Sequence, residues 1–320
     1  MTEKKQEEKS VQKAIEIMRE VQKVVVGKER TIAAAMCAML AGGHILLEDI
    51  PGVGKTTMAL AFARAMDLSF KRMQFTPDVM PTDVTGYSLY NRETGKSEYV
   101  PGAAMCNLFL ADEINRTSSK TQSALLEVME EGKITVDGVT RPVPQPFWVI
   151  ATQNPVGSAG TQLLPESQMD RFMVCLSMGY PSVQEEVAIL QSRQTENPLE
   201  AVRRVAGPEE ILRMEQEVSQ VYASDIVCQY AAELAAWTRT AETLRLGISP
   251  RGTLALIRMA KATAYLSGKD YIVPENIQSV FLDVCAHRVL LNPKGRVAGL
   301  TTRDVLSEGL KQVKAPGIAG

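Results

Sequence analysis

The chain has 320 residues, of which 45% are hydrophobic and 22% charged, and its 35 basic and 37 acidic side chains leave a formal charge of −2. This length allows two ordinary domains, and the composition is that of a folded globular protein. These values exclude a disordered or collagen-like chain, and they argue against direct, charge-driven binding of nucleic acid.

The cysteines and the first residues indicate a cytoplasmic protein. The five cysteines are widely spaced and form no C-x-x-C pair, which predicts buried thiols in a reducing compartment, with neither a disulfide framework nor a zinc site. Residues 1–9 alternate in charge and lack an apolar stretch, so we expect no signal peptide. The longest apolar run, 31–47, is too short and too interrupted to span a membrane. Neither His44 nor His287 has a catalytic or metal-binding context, so each is expected to be packed or solvated.

Helices and short apolar strands alternate in the first half of the chain. Apolar spacing predicts one helix over 11–25, broken at Gly27, and a second helix over 29–40. Apolar runs bounded by turn residues predict buried strands, and a further helix is expected over 56–66. The predicted strands are 44–48, 107–111, 147–151 and 173–176. This alternation is typical of an α/β protein with a parallel sheet.

Two hairpins are predicted as insertions among these elements. The first covers about 86–100 and turns at 93–96. The second covers about 133–143 and turns at Asp137-Gly138, a pair that favours a tight primed turn.

The character of the sequence changes after Pro181, where strand-like runs end and helical periodicity continues. We therefore predict an α/β domain over 1–181 and a helical domain over 182–320. One helix of the second domain should begin at Ser249-Pro250, since serine caps helices and proline suits their first position. Gly268 should end that helix, and another should begin at Pro274.

A glycine-rich segment lies between the first predicted strand and the helix that follows it. Residues 49–56 read DIPGVGKT and match the phosphate-binding loop pattern G-x-x-x-x-G-K-[ST], except that Asp49 replaces the first glycine. Aspartate tolerates a positive φ better than most residues do. The alternative is a glycine-rich turn without a ligand, which the strand-loop-helix context disfavours.

The loop residues suit a nucleotide bound with magnesium. Gly52 and Gly54 let backbone N–H groups turn toward phosphate oxygens, and the start of the helix adds its positive end. Lys55 would neutralise the β- and γ-phosphates, and the Thr56 hydroxyl would ligate Mg²⁺. The predicted nucleotide-binding residues of this loop are Pro51, Gly52, Val53, Gly54, Lys55, Thr56 and Thr57.

A pair of carboxylates follows the second predicted strand. Parallel sheets place their ligands at the carboxyl ends of strands, which is where Asp112 and Glu113 lie. Asp112 could hold the magnesium shell, and Glu113 could polarise an attacking water as a general base. The alternative is an acidic cap of the helix that follows.

Six ordered blocks of the sequence carry a family resemblance. The blocks are LEDIPGVGKT (47–56), QFTPD (74–78), PTDVTG (81–86), ADEINR (111–116), ATQNP (151–155) and LPESQMDRF (164–172). They resemble the MoxR family of AAA+ ATPases, in the helix-2-insert clade related to the ATPase subunit of magnesium chelatase. The resemblance covers nearly the whole chain, and the Glu-Asp lead-in to the loop, which includes Asp49, is common in that family.

The resemblance implies roles for further residues. Asn154 is similar to the sensor 1 residue that orients the attacking water, and Arg171 to the arginine finger that enters a neighbouring subunit's site. Arg251 is similar to the sensor 2 arginine that links the nucleotide phosphates to the helical lid, and Val26-Gly27 to the segment that lines the adenine pocket. Taken alone, these residues would suggest an Asn-Pro turn, a surface ion pair, an ordinary helical arginine and a helix break.

The resemblance also implies a function and an architecture. It implies an α/β P-loop AAA+ domain with a helical lid that uses ATP and Mg²⁺, assembles as a homo-hexameric ring and remodels client proteins. The 133–143 hairpin would face the pore of that ring, although an edge decoration is the alternative. A chaperone-like or metal-cofactor-insertion role with a von Willebrand A domain partner is expected.

Three alternatives from other functional classes stay open at this point. One is a P-loop kinase or GTPase, against which the missing Asn-Lys-x-Asp motif and the Asn154 and Arg171 blocks argue. Another is a slow nucleotide-gated scaffold, which would need neither Glu113 nor Arg171. Nucleic-acid translocation, which AAA+ relatives carry out, is a third possibility, but neither the composition nor a basic stripe supports it.

Overall fold

A computed structural model describes residues 2–93, 95–154, 164–192 and 198–317, with side chains from Glu7 onward. The strands are β1 (Ile45–Glu48), β2 (Phe70–Gln74), β3 (Gly86–Asn91), β4 (Lys96–Pro101), β5 (Leu108–Asp112), β6 (Lys133–Val136), β7 (Val139–Pro142), β8 (Trp148–Gln153), β9 (Val174–Leu176), β10 (Leu244–Leu246) and β11 (Leu290–Leu291). The helices are α1 (Thr2–Gln22), α2 (Glu29–Leu40), α3 (Lys55–Ala65), α4 (Pro81–Thr85), α5 (Ser119–Glu131), α6 (Glu166–Met169), α7 (Val183–Ser192), α8 (Pro208–Gln220), α9 (Asp225–Thr240), α10 (Pro250–Leu266), α11 (Pro274–Cys285), α12 (Pro293–Val297) and α13 (Thr302–Gln312).

Five parallel strands form the central sheet in the order β2-β5-β8-β1-β9. The four predicted strands are all present, and β2 is an additional strand that the sequence analysis missed. It reads FKRMQ, has no fully buried residue and lies at the edge of the sheet. An edge strand of this kind lacks the continuous apolar run by which buried parallel strands are recognised.

The sheet buries both of its faces, because alternate residues of each strand point to opposite sides. In β1, Ile45 and Leu47 belong to one hydrophobic core and Leu46 belongs to the other. The first core is shared with α1, α2, α3 and the helices of the carboxyl-terminal half, and the second is shared with α5. The α/β fold class predicted from the alternating strands and helices is confirmed.

Both predicted hairpins form and lie against each other. β3 pairs with β4, and β6 pairs with β7, although Thr94 in the first turn lies outside the described residues. Asp137 and Gly138 adopt φ values of 51° and 75°, as a primed turn requires. The Arg141 guanidinium lies 4.1 Å from the centre of the Tyr99 ring and joins the two hairpins.

Helices dominate after β9, as the periodicity predicted. The Ser249 side chain accepts a hydrogen bond from the Gly252 N–H and caps α10, Pro250 opens that helix, and Gly268 follows it with a φ of 70°. The sequence analysis missed the short antiparallel pair of β10 and β11. The division at residue 181 stays a prediction.

The cysteines and histidines can be compared with their predicted environments. Cys37, Cys106 and Cys285 are buried free thiols, as predicted, but Cys175 is only half-buried and Cys228 on α9 is exposed. The prediction of five buried thiols is therefore wrong at Cys228 and only partly met at Cys175. His44 is buried, accepts a hydrogen bond from the Val149 N–H and contacts the Met129 carbonyl oxygen at 2.9 Å, as expected of a packed histidine. Among the described helices, none combines the length and apolar character needed to cross a membrane.

Glu215 of α8 provides a test of how the helical part packs on the sheet. Burial raises the pKa of its carboxyl to about 7, although the nearby Trp148 indole and Arg258 oppose the shift. A raised carboxyl pKa means that the folded protein binds more protons than the unfolded chain between about pH 4.5 and 7. Glu215 therefore favours folding at low pH, and this contribution disappears as the pH rises through 7.

We expect Glu215→Gln to increase the free energy of unfolding by about 1–3 kcal/mol at pH 8 and to leave it nearly unchanged at pH 5. Urea unfolding at both pH values measures the difference. Glu209→Gln, an exposed position of the same helix, is the control and should show no such pH-dependent gain. If the free energy of unfolding changed with pH in the same way for the two variants, the raised pKa of Glu215 would be contradicted.

Candidate nucleotide-binding site

The loop between β1 and α3 has the backbone of a phosphate cradle. Gly52 and Gly54 have φ values of +87° and +96°, a region that strains other residues. A side chain at Gly52 would meet no atom within 4 Å, so backbone conformation and not crowding requires glycine there. α3 begins at Lys55 without a side-chain cap on its first N–H groups, which leaves them available to an anion.

Lys55 is held over this loop by backbone carbonyls. Its ammonium donates to the Asp49 carbonyl oxygen at 2.8 Å and to the Ile50 carbonyl oxygen at 3.2 Å. Burial lowers the pKa of Lys55, and the carboxylates of Asp49, Asp112 and Glu113 oppose this shift. A buried cation held by neutral carbonyls can turn to phosphate oxygens without breaking a direct ion pair.

Asp49 differs from its expected role. Its φ is not positive, so it does not substitute for glycine by adopting a left-handed conformation. Instead its buried carboxylate accepts hydrogen bonds from Ser177 Oγ at 2.8 Å, the Met178 N–H at 2.5 Å and the Gly179 N–H at 3.1 Å. The first loop position therefore fastens the loop to the segment that follows β9.

The predicted adenine segment lies against that same region. Gly27 has a φ of 72°, and the Glu185 side chain of α7 occupies the space that a side chain at Gly27 would need. The neighbouring Lys28 ammonium donates to the Tyr180 carbonyl oxygen at 3.1 Å. Gly27 and Lys28 are thus joined to the region 177–185, which also holds Asp49, and this places the predicted adenine segment, with Val26, beside the phosphate loop.

Asp112 ends β5 in a network of strong hydrogen bonds. Thr152 Oγ1 of β8 donates to Asp112 Oδ1 at 2.6 Å, and the Arg72 guanidinium of β2 donates to Oδ2 at 2.6 Å. The Glu113 N–H donates to the same threonine oxygen at 2.9 Å. The carboxylate is buried and held in position by the two strands that flank it.

Glu113 has the geometry of a positioned base. Its φ of 56° turns the chain sharply, and its two carboxylate oxygens accept hydrogen bonds from Asn154 Nδ2 at 3.1 Å and from Arg116 at 2.7 Å. The Arg116 guanidinium holds the pKa of Glu113 below its usual value, with help from Asn154 and against the effect of partial burial. The carboxylate is therefore ionised at neutral pH, as a general base must be.

These groups fit a nucleotide bound with magnesium. Asp112 and Thr56 supply the hard oxygen ligands that Mg²⁺ prefers, and Mg²⁺ commonly takes one or two protein ligands with phosphate and water. No cluster of three or more metal-ligating side chains occurs among the described residues, which suits such a shared shell better than an all-protein metal site. Thr56 and Thr57 are half-buried on the first turn of α3.

Arg171 and Arg251 lie where the parallel strands begin, which we call the amino edge of the sheet. The carboxyl edge is the side where the strands end. The loop, Asp112, Glu113 and Asn154 follow the carboxyl ends of β1, β5 and β8, whereas Arg171 precedes β9. Both arginines form ion pairs with Glu130 at the end of α5, Arg171 at 2.9 Å. Strands rise about 3.3 Å per residue, so the four residues of β1 separate the two edges by about 10 Å. Arg251 therefore does not contact the phosphate loop of its own chain.

The segment around Arg171 is anchored to the helical part. Asp170 accepts hydrogen bonds from Ser249 Oγ at 2.9 Å and from the buried Arg288 guanidinium at 2.8 Å. Arg288 also donates to the carbonyl oxygens of Phe172 and Met173. The alternative interpretation, an ion pair of Asp170 with Arg171, does not describe the structure, because Asp170 pairs with Arg288 and Arg171 pairs with Glu130.

Comparison with known proteins agrees with this geometry. The ATPase family associated with various cellular activities (AAA) matches residues 44–174, and the AAA lid domain matches residues 236–308. The chain is 46% identical over 296 residues to the uncharacterized protein YeaC of Bacillus subtilis (strain 168), with 92% of each chain covered. It is 35% identical over 308 residues to Chaperone MoxR1 of Mycobacterium tuberculosis, covering 93% of this chain and 81% of that relative.

The chain belongs to the MoxR family of AAA+ ATPases. A crystal structure of a proposed ATPase from Cytophaga hutchinsonii superposes with a TM-score of 0.91 at 36% identity and covers 99% of this chain and 98% of that one. The P-loop AAA+ fold that the resemblance implied is confirmed.

Sequence reasoning missed several polar residues of this MoxR-family site. Arg72 lies on the unpredicted strand β2, and Arg116 and Thr152 stand within the quoted blocks without an assigned role. Nothing in the sequence distinguishes Glu130 from other charged residues near helix ends. A carboxylate at a strand end does indicate that a donor must face it, but the sequence does not show which donor.

The contacts of Asp49 predict a structural cost for its loss. Asp49→Ala leaves the donors of residues 177–179 without their acceptor, and we expect the free energy of unfolding to fall by about 2–4 kcal/mol. Urea unfolding measures this change, with Glu48→Gln as the control at an adjacent exposed carboxylate. If both variants were equally stable, the Asp49 carboxylate would not be what holds the loop.

Proposed function

We propose that this chain hydrolyses ATP in a homo-hexameric ring, in which Arg171 and Arg251 of one subunit complete the active site of its neighbour. The supporting observation is the separation of the charged groups over the two edges of the sheet. The phosphate loop and the carboxylates lie at one edge, and the two arginines lie at the other. Head-to-tail packing in a ring brings the amino edge of one subunit against the carboxyl edge of the next.

The residues of one subunit bind the nucleotide and prepare the water. Lys55 and the N–H groups at residues 51–57 hold the phosphates, with Val26 and Gly27 beside the base. Thr56 and Asp112 would hold Mg²⁺, which would neutralise charge on the phosphate oxygens. Glu113 accepts a proton from the attacking water, and Asn154 orients that water through the same hydrogen-bonded pair.

The neighbour supplies the positive charge that phosphoryl transfer requires. A guanidinium that approaches the transferred group stabilises the charge that develops on its oxygens. Arg171 is fastened to the helical lid through Asp170, so its position responds to movement of the lid. Hydrolysis at one interface would in this way change the angle between the domains.

We further propose that this movement remodels or matures client proteins in the cytoplasm. The relative named Chaperone MoxR1 supports a chaperone-like role, and the family resemblance supports a partner with a von Willebrand A domain, including insertion of a metal cofactor. Membership in the AAA+ ATPases removes the alternative of a P-loop kinase or GTPase. The mixing experiment below distinguishes the ring ATPase from a slow nucleotide-gated scaffold, whose hydrolysis rate would not depend on Arg171.

Two inactive variants should restore each other. Glu113→Gln and Arg171→Ala should each lower the hydrolysis rate by about 10²-fold or more, because one removes the base and the other the neighbour's cation. Steady-state ATP hydrolysis is measured against protein concentration, with assembly followed by light scattering. An equal mixture should recover activity, since about a quarter of the interfaces in a mixed ring pair an intact Glu113 with an intact Arg171.

A mixture as inactive as its parts would overturn the shared site. A rate per chain that is constant in the monomer range and insensitive to Arg171→Ala would favour the slow scaffold or a self-contained site.

The placement of Arg251 makes a separate prediction. Arg251→Ala should behave like Arg171→Ala: the mixture with Glu113→Gln should recover activity, and the mixture with Arg171→Ala should not. Arg245→Ala is the matched control, because Arg245 pairs with the exposed Glu166 and should keep full activity. Recovery in the mixture with Arg171→Ala would show that Arg251 serves its own subunit's nucleotide.

A further inference from the structure

Glu130 is shared by two arginines from different parts of the chain. Its Oε2 atom pairs with Arg171 at 2.9 Å, and its Oε1 atom pairs with Arg251. One guanidinium comes from the segment before β9 and the other from the first turn of α10. The carboxylate therefore joins the two arginines through its two oxygens.

The contacts of Arg171 fix its direction further. It also donates to the Leu126 carbonyl oxygen at 2.8 Å, one helical turn before Glu130 on α5. α5 ends at Glu131, and the following Gly132, with a φ of 62°, stops the helix just beyond Glu130. The acidic partner is thus placed by a well-defined helix end and not by a loop.

Arg171, Arg251 and Glu130 line a cavity of about 530 Å³ at the amino edge of the sheet. Its charged lining consists of four arginines and two carboxylates: Arg171, Arg251, Arg258, Arg288, Glu130 and Asp170. Arg288 pairs with Asp170, and Arg258 donates to backbone carbonyls. The cavity keeps an excess of positive charge, in which Arg171 is half-buried and Arg251 and Glu130 are exposed.

We propose that Glu130 is a positioning residue that holds Arg171 and Arg251 side by side as one two-armed site for the phosphate groups of the neighbour's nucleotide. This inference rests on the proposed function. Two guanidinium groups repel each other at close range, and each is carried on a long side chain with high rotational entropy. A single carboxylate between them offsets the repulsion and removes much of that freedom before the phosphate arrives.

The proposal predicts a defect in turnover without a defect in nucleotide binding. Glu130 lies far from the phosphate loop of its own chain, so Glu130→Gln and Glu130→Ala should leave the affinity of the subunit for a fluorescent ATP analogue unchanged. The rate at saturating ATP should fall by about 10- to 100-fold, because misplaced catalytic groups cost about that much. The KM for ATP should change by much less than the kcat.

Glu131→Gln is the matched control. It removes the same charge at the next residue of α5, but Glu131 pairs with Lys133 and touches neither arginine. This variant should keep the wild-type rate. All rates are compared at protein concentrations where light scattering shows complete assembly.

Mixed assemblies separate this proposal from the shared site on which it rests. Glu130→Ala mixed with Glu113→Gln should recover activity, and Glu130→Ala mixed with Arg171→Ala should not. If Glu113→Gln and Arg171→Ala restore each other while assembled Glu130→Gln and Glu130→Ala keep the wild-type kcat, the shared site stands and the role of Glu130 is wrong. If Glu113→Gln and Arg171→Ala do not restore each other, the shared site itself fails, and the role of Glu130 fails with it.

Discussion

All five strands of the central sheet run in the same direction, and this polarity separates the charges of the molecule. Three strands deliver candidate nucleotide-site residues at their carboxyl ends: the phosphate loop follows β1, Asp112 ends β5 and Asn154 follows β8. The segments that enter the strands, with Gly42 before β1 and Arg171 before β9, lie at the other edge. The length of the parallel strands keeps these two sets apart within one chain. This separation supports the proposal that the two sets meet between two subunits.

The short stretch 170–180 connects the two edges. At its start, Asp170 binds Ser249 and Arg288 of the helical part, and at its end the N–H groups of residues 178 and 179 bind Asp49. β9 lies between these contacts and pairs with β1. The phosphate loop and the helical lid are therefore joined through one strand and the carboxylates of Asp49 and Asp170.

A common electrostatic pattern holds the carboxylates of the candidate sites in position. Asp112 pairs with Arg72, Glu113 with Arg116, and Glu130 with two arginines. These pairs are partly exposed, so they contribute less to stability than to the direction of each side chain. These pairs orient the charged side chains. A charged group whose direction is already set loses little entropy when a phosphate or a water binds.

Local chemistry determined much of what the sequence predicted correctly. Gly52 and Gly54 specify a backbone that only glycine adopts easily, Asp137-Gly138 specifies a tight turn, and Ser249-Pro250 specifies a helix start. Each of these signals acts within a few residues, so no tertiary contact is needed to recognise it. The buried strands were equally visible, because both of their faces are apolar.

The contacts that join distant segments were decided only by the tertiary structure. The edge strand β2 is half polar, and its Arg72 pairs with Asp112 only when β2 lies beside β5 in the sheet. Eighty positions separate Arg171 from Arg251, and their meeting depends on how α10 packs near the start of β1.

Glu130 and Glu131 are adjacent and chemically identical, yet one joins two arginines and the other pairs with an exposed lysine. The helix turns them in different directions, and only the packing of the chain determines what each one meets.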